Sequence, residues 1–370
     1  MNKPSSLVLL LAGCAALLGA PAATCAAPPS TDAQSQSQSQ SQPQSQSQSP
    51  GPRRMAAAVA AAPVTAASAP APAAIDCPPE ATVPTREEVA AGMRDATDSG
   101  FLWRATKAGH TSYLYGTIHV ARREWMYPGP LVTRALASSD VVALELDPSD
   151  PEVSARLQRA IALRPGASEL PPALEARLRA QMFAACVDPA TLAGMRPEMR
   201  AVTLEVLGGR RLGLQPAYGI DAFIDGMAHG LKKPVRSLET PESQAELLVS
   251  DDPEQTRQSV AEVLEELEGG NGPRILGRLA NDWRRGDLDD LATYASWCDC
   301  LKTAQQHADF VKLVDDRNPL MAERIAKWHE SGTALFVAVG SLHLVGPRGL
   351  PELMRQRGFV VERVAYAPAR

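Results

Sequence analysis

Two stretches far apart in the chain repeat one pattern. Leu114-Tyr115-Gly116-Thr117-Ile118-His119-Val120 and Ala338-Val339-Gly340-Ser341-Leu342-His343-Leu344 are each a strand-forming run that closes on glycine, a hydroxyl residue, an aliphatic residue and histidine. The chain holds six histidines, so a matched pair among them points to a shared site. If both runs are strands of one parallel sheet, both turns open at the same edge. That edge, beyond the carboxyl ends of the strands, is where open α/β sheets bind ligands. Glycine at these positions is expected to permit a tight turn and close approach of a ligand to the backbone. The plainer account is two core histidines satisfied by backbone partners.

The regions outside the pattern limit its context. The chain opens like an export signal: Lys3, an apolar stretch from Leu7 to Leu18, then small residues. The stretch is shorter than the roughly 20 apolar residues a membrane span needs. Two processing routes fit. Leu11-Ala12-Gly13-Cys14 resembles a lipobox that would leave a lipidated Cys14, and Thr24-Cys25-Ala26 suits ordinary cleavage. The second is favoured because the apolar region continues past Cys14. The expectation is a signal over residues 1–26, a place in the periplasm or cell envelope, and membrane contact only through lipid at Cys14.

Residues 27–90 read as a disordered tether, nearly pure Gln-Ser from Gln34 to Ser49 and an Ala/Pro/Val mixture from Met55 to Ala74. Such segments bury too little apolar surface to offset their chain entropy. Residues 91–370 are long enough for one large domain. A net charge of −5 gives no electrostatic case for nucleic acid. Oligomeric state is left open. Past the signal the cysteines are Cys77, Cys186, Cys298 and Cys300. They lack the second pair of a zinc ribbon, and an oxidising compartment suits a bridge from Cys186 to Cys298 or Cys300.

Within the domain, Phe101–Thr106 and Thr111–Gly116 flank a glycine-containing turn and read as a hairpin. Val141–Leu146 reads as a strand buried on both faces, with Glu145 its one polar member. A carboxylate there is costly unless paired, hydrogen-bonded or metal-bound. Further strands are expected at Pro234–Leu238, Ala334–Gly340 and Phe359–Val364. Helical periodicity fills 150–214 and 253–313. Asp221, Thr240 and Asn318 are placed to cap helices, with Pro241 and Pro319 at first positions. The alternation implies an α/β protein: a mixed central sheet flanked by helices, with the two helical insertions forming a cap.

Two imidazoles and a carboxylate are a minimal ligand set for a divalent metal such as Mn, Co or Zn. His119, His343 and Glu145 are the candidate ligands, and Glu145 is alternatively a base. Thr117 and Ser341 are candidate substrate contacts from the same turns, or simply satisfy local backbone. Glu239 is a candidate second carboxylate and Arg317 a candidate clamp for a substrate carboxylate or carbonyl; the two equally suit an ion pair with each other. His110, His229, His307 and His329 read as surface residues.

Taken together, Tyr113 to His119, Leu144-Glu145-Leu146-Asp147, Ser237-Leu238-Glu239-Thr240 with Gln244, and Asp316-Arg317-Asn318-Pro319-Leu320-Met321 leading to Val339–Gly346 resemble the TraB/PrgY/GumN family. The likeness runs over nearly all of residues 95–368 and is most specific from Asp315 to Val364. It implies a metal-dependent protease chemistry like that of the animal Tiki proteins, with Gly116/His119, Gly340/His343 and Glu145 at the motif positions. Other members are associated with peptide pheromone shutdown or exopolysaccharide gene clusters, and a distant class binds haem iron. The reading is an exported metal-dependent hydrolase, a peptidase acting on a peptide or protein. The alternatives are a non-catalytic envelope protein that sequesters a peptide, haem or metal, and a structural module.

Overall fold

The computed structural model describes residues 76–366. The assigned signal and the tether up to residue 75 lie outside them. A helix, Arg86–Asp95, capped by Thr85, begins inside the stretch assigned to the tether and ends beyond it. The folded chain therefore takes in residues before 91.

Six strands form one sheet: β1 Phe101–Lys107, β2 His110–Thr117, β3 Val141–Leu144, β4 Val235–Ser237, β5 Leu335–Gly340 and β6 Val360–Arg363, in the order β4-β3-β5-β2-β1-β6. The hairpin β1–β2 turns on Ala108 and Gly109, both at positive φ, the geometry that matches strand twist. β2, β5, β3 and β4 are mutually parallel neighbours, and β1 runs antiparallel to β2 and β6. Chain order and spatial order differ where it matters. β5, last of the four parallel strands in sequence, inserts between β2 and β3, with Gly116 opposite Val339 and Thr117 opposite Gly340.

This is an α/β protein built on a mixed sheet. β3 and β5 are buried throughout, as strands between covering helices must be. Helices Pro130–Ser138, Ile220–Gly230, Asn318–Glu330 and Leu350–Gln356 pack on the sheet. One helical insertion follows the carboxyl end of β3 and the other follows β4. Their helices Pro197–Gly208 and Pro253–Glu268 pack on each other around a separate apolar core that includes Leu178, Met182, Leu204, Val260 and Leu264. Among the described residues no helix is long and apolar enough to cross a membrane.

Several expectations are corrected. The disulfides are Cys77–Cys186 and Cys298–Cys300, in place of a bridge between Cys186 and the 298/300 pair. The segment after Cys77 is held beside the first insertion, where Gln215 donates to Pro79 O and Thr82 N–H donates to Tyr218 Oη. His329 is in the core, hydrogen-bonded to Ser112 Oγ at 2.8 Å and near Lys107 O at 3.2 Å. β3 stops at Leu144, so Glu145 lies in the bend just past the strand. Gly116 and Gly340 keep negative φ. Gly116 is needed instead for space, because a Cβ there would come within 2.7 Å of Ser341 Oγ.

Candidate metal centre

Four parallel strands deliver one polar side chain each at their carboxyl ends. His119 follows β2, Glu145 follows β3, Glu239 follows β4, and His343 sits in the short turn Ser341–Leu344 directly after β5. All four are buried. Arg317 joins them from the start of the Asn318–Glu330 helix, just after a π-helical turn at Val311–Asp315. Such turns recur at functional sites.

Glu145 is the hub. Its Oε1 accepts the Gly340 N–H at 2.8 Å and lies 3.7 Å from His343 Nε2. Its Oε2 accepts from Arg317 at 2.5 Å and from Gln244 at 3.3 Å. Arg317 also forks onto Glu239, through Nε at 2.9 Å and through the same terminal nitrogen that reaches Glu145. Of the two readings of Arg317 and Glu239, the geometry is that of the ion pair. A buried pair gains most when its remaining donors are satisfied. Here Arg317 donates further to Leu313 O and Gln244 to Glu239.

The protonation states follow. Burial alone would raise the Glu145 carboxyl, but the Arg317 charge first, aided by the Gly340 N–H, holds it below the usual carboxylate range. Burial, and then the Arg317 charge, push His343 down to about 3, against the pull of Glu145. A neutral imidazole therefore faces an ionised carboxylate.

Second partners decide which nitrogen does the facing. Asn318 Nδ2 donates to Arg348 O at 2.9 Å, which turns Oδ1 toward His343 Nδ1 at 2.7 Å. Nδ1 must donate, so Nε2 carries a bare lone pair. His119 Nδ1 lies 3.0 Å from Asp221 Oδ2, a contact between ring and carboxylate. Neither Asp221 nor Asn318 caps a helix as expected. The Asp221 helix starts at Ile220 after Gly219, and Arg317 occupies the cap position before Asn318. Gly219 is pressed so close that a Cβ would lie 2.7 Å from His119 O.

Thr117, His119, Glu145, Leu146, Pro148 and Asp221 help to line a cavity of about 30 Å³. Roughly 10–15 Å³ of such space admits one water, so an ion or a water fits and a peptide does not. Thr117 Oγ1 is buried there with no hydrogen bond. Ser341 Oγ instead donates to Thr117 O at 2.9 Å and ties the two turns together.

A model of the TraB/PrgY/gumN family matches residues 101–363. The chain belongs to that family. The TraB/PrgY/gumN match spans every strand from β1 to β6, and no curated protein and no solved structure matches the chain.

A second group lies one step outward in this TraB/PrgY/gumN domain. Asp147, Asp225 and His229 bring one ligating atom each within 4.8 Å of one another, and such a trio can hold a metal ion. Among the described residues it is the group of three that meets that spacing; His119, Glu145 and His343 are spread more widely. His229 is on the surface, as expected, yet has this role open to it. Asp225 and His229 follow Asp221 at four-residue steps, which sets all three on one helix face. That periodicity was visible in the chain, but Asp147 joins them only through the fold.

Proposed function

We propose that this protein is an exported metal-dependent hydrolase whose ion is held by His343, Glu145 and His119. One observation carries the reading: the lone pair of His343 Nε2 faces the ionised Glu145 Oε1 at 3.7 Å. Two acceptors turned toward each other repel unless a cation lies between them. The spacing suits two ligands that share one first-row ion at about 2 Å each. Charge agrees, since Glu145 and Glu239 outnumber Arg317 in the buried cluster.

A divalent ion bound there would lower the pKa of a coordinated water toward about 7 and polarise a carbonyl. Each side chain of the protein has a definite part. A carboxylate that Arg317 holds ionised is a poor proton acceptor at neutral pH, so Glu145 serves as ligand rather than base. Arg317 and Glu239 hold Glu145 in place. Thr117 Oγ1 is the free group on the cavity wall for a water or substrate oxygen. The Mn, Co or Zn expectation follows from imidazole and carboxylate ligands. The peptide class of substrate rests on the resemblance to Tiki proteins. Export is supported by the leader sequence and by two disulfides, which persist in oxidising compartments.

The small volume of the cavity favours a second reading, a protein that holds a metal without turnover. The test is cleavage of a peptide library by purified protein with added Mn, Co or Zn. His119→Ala and His343→Ala are each expected to abolish cleavage and to remove one equivalent of bound metal. A metal stoichiometry unchanged in both variants refutes the site, and metal without cleavage in the wild type selects the second reading.

A further inference from the structure

Part of the wall of the inner cavity and Asp147 of the outer trio belong to one short segment. Leu146-Asp147-Pro148-Ser149-Asp150 links β3 to the helix Pro151–Ile161, and Leu146 and Pro148 face the cavity beside Asp221. Asp147 organises the segment: its N–H donates to Ser237 Oγ at 2.9 Å, and its Oδ1 accepts from the amides of Ser149 and Asp150 at 3.0 and 3.1 Å. Ser149 Oγ ties the segment to the Ile220–Gly230 helix by donating to Asp225 Oδ2. The other oxygen, Asp225 Oδ1, is buried and accepts no hydrogen bond; it lies 3.3 Å from His229 Nδ1. That ring nitrogen is 3.0 Å from Asp225 O, the backbone acceptor that takes its proton. A buried carboxylate oxygen that accepts no hydrogen bond thus faces a second aspartate and the half-exposed imidazole of His229.

We propose that Asp147, Asp225 and His229 bind a divalent first-row cation, and that this ion latches the Leu146–Asp150 segment over the inner cavity. Two carboxylates and one imidazole suit Zn or Mn, and Asp221, one helical turn from Asp225, adds negative charge. The ion joins the segment to the helix that carries Asp221, the partner of His119. The cavity has no room for a peptide, so substrate entry requires this wall to move, and the bound cation opposes that movement. The latch role rests on the inner cavity being the working site; the binding of the ion does not.

The test uses the full chain stripped with chelator and titrated calorimetrically with ZnCl2. Wild type is expected to bind two equivalents and the His119→Ala/His343→Ala variant one. Adding His229→Ala to that variant is expected to remove the last, and His229 is exposed enough for the change to spare folding. No zinc bound by the double variant overturns the proposal, as does zinc retained after His229→Ala is added. A single wild-type equivalent that survives the double substitution but not His229→Ala upholds the outer site and defeats the inner one. In the double variant, zinc is expected to slow hydrogen exchange of the Ser149 and Asp150 amides at least tenfold; unchanged exchange overturns the latch.

Discussion

At Asn318 one amide connects the start of a helix to the candidate site. Its Nδ2 is tied to Arg348 O, thirty residues along the chain, and its Oδ1 to His343 Nδ1, so a backbone carbonyl sets the tautomer of His343. Asp221 places a carboxylate beside the His119 ring, 3.0 Å from Nδ1. Partners of this kind orient metal-bound imidazoles, and their loss costs about 10–100-fold in metal affinity. Asn318→Ala and Asp221→Asn are each expected to weaken zinc binding at the inner site by that order, read by competition with a chelating dye. An unchanged affinity would reduce both residues to local packing. Asn318 and Asp221 looked like caps in sequence because Asn and Asp favour helix starts for the same reason they favour imidazoles: a short side chain with a strong acceptor.

Among elements, the helix Ile220–Gly230 shows how periodicity becomes chemistry. Asp221, Asp225 and His229 share a face, the first serving the inner cavity and the other two the outer group. The helix Asn271–Arg285 carries a different device. Asp282 is buried, and burial, then the neighbouring Asp290 and, less strongly, Asp287, raise its carboxyl to about 7 against the pull of Arg285. An unfolded aspartate titrates near about 3.9, so between those values the folded state holds a proton the unfolded state has released. Stability from this group is fully present below about pH 4, declines as pH rises to about 7, and changes no further above it. Asp282→Asn is expected to flatten this decline in thermal midpoint between pH 5 and pH 8. An unaltered slope would place the titration elsewhere.

For the whole molecule, the sheet order is the decisive fact. The carboxyl ends of β2, β3, β4 and β5 share one edge because all four strands are parallel, and crossover connections returned the chain each time to the same side. The Cys77–Cys186 bond closes a separation of 109 residues and fastens the chain before Arg86–Asp95 to the first insertion. Loops of that size lose much entropy on closure, and such bonds contribute about 2–4 kcal/mol. Cys77→Ser is expected to lower the urea midpoint accordingly, with the Cys298–Cys300 bond intact by mass spectrometry. A midpoint that does not move would show that the N-terminal segment adds nothing to the fold.

The residue pattern alone determined the strand–helix alternation, the two histidine turns and the odd carboxylate at 145, because hydrophobic period and turn chemistry are local properties. Local pattern also placed Thr240 as the cap before Pro241, where its side chain accepts from Ser243 N–H. Only the tertiary structure decided that β5 lies between β2 and β3, that Arg317 joins Glu145 to Glu239, that Asp147 meets Asp225 and His229, and which cysteines pair. Each of these depends on how far apart two segments lie in space, a distance that chain connectivity limits but does not specify until the core has packed.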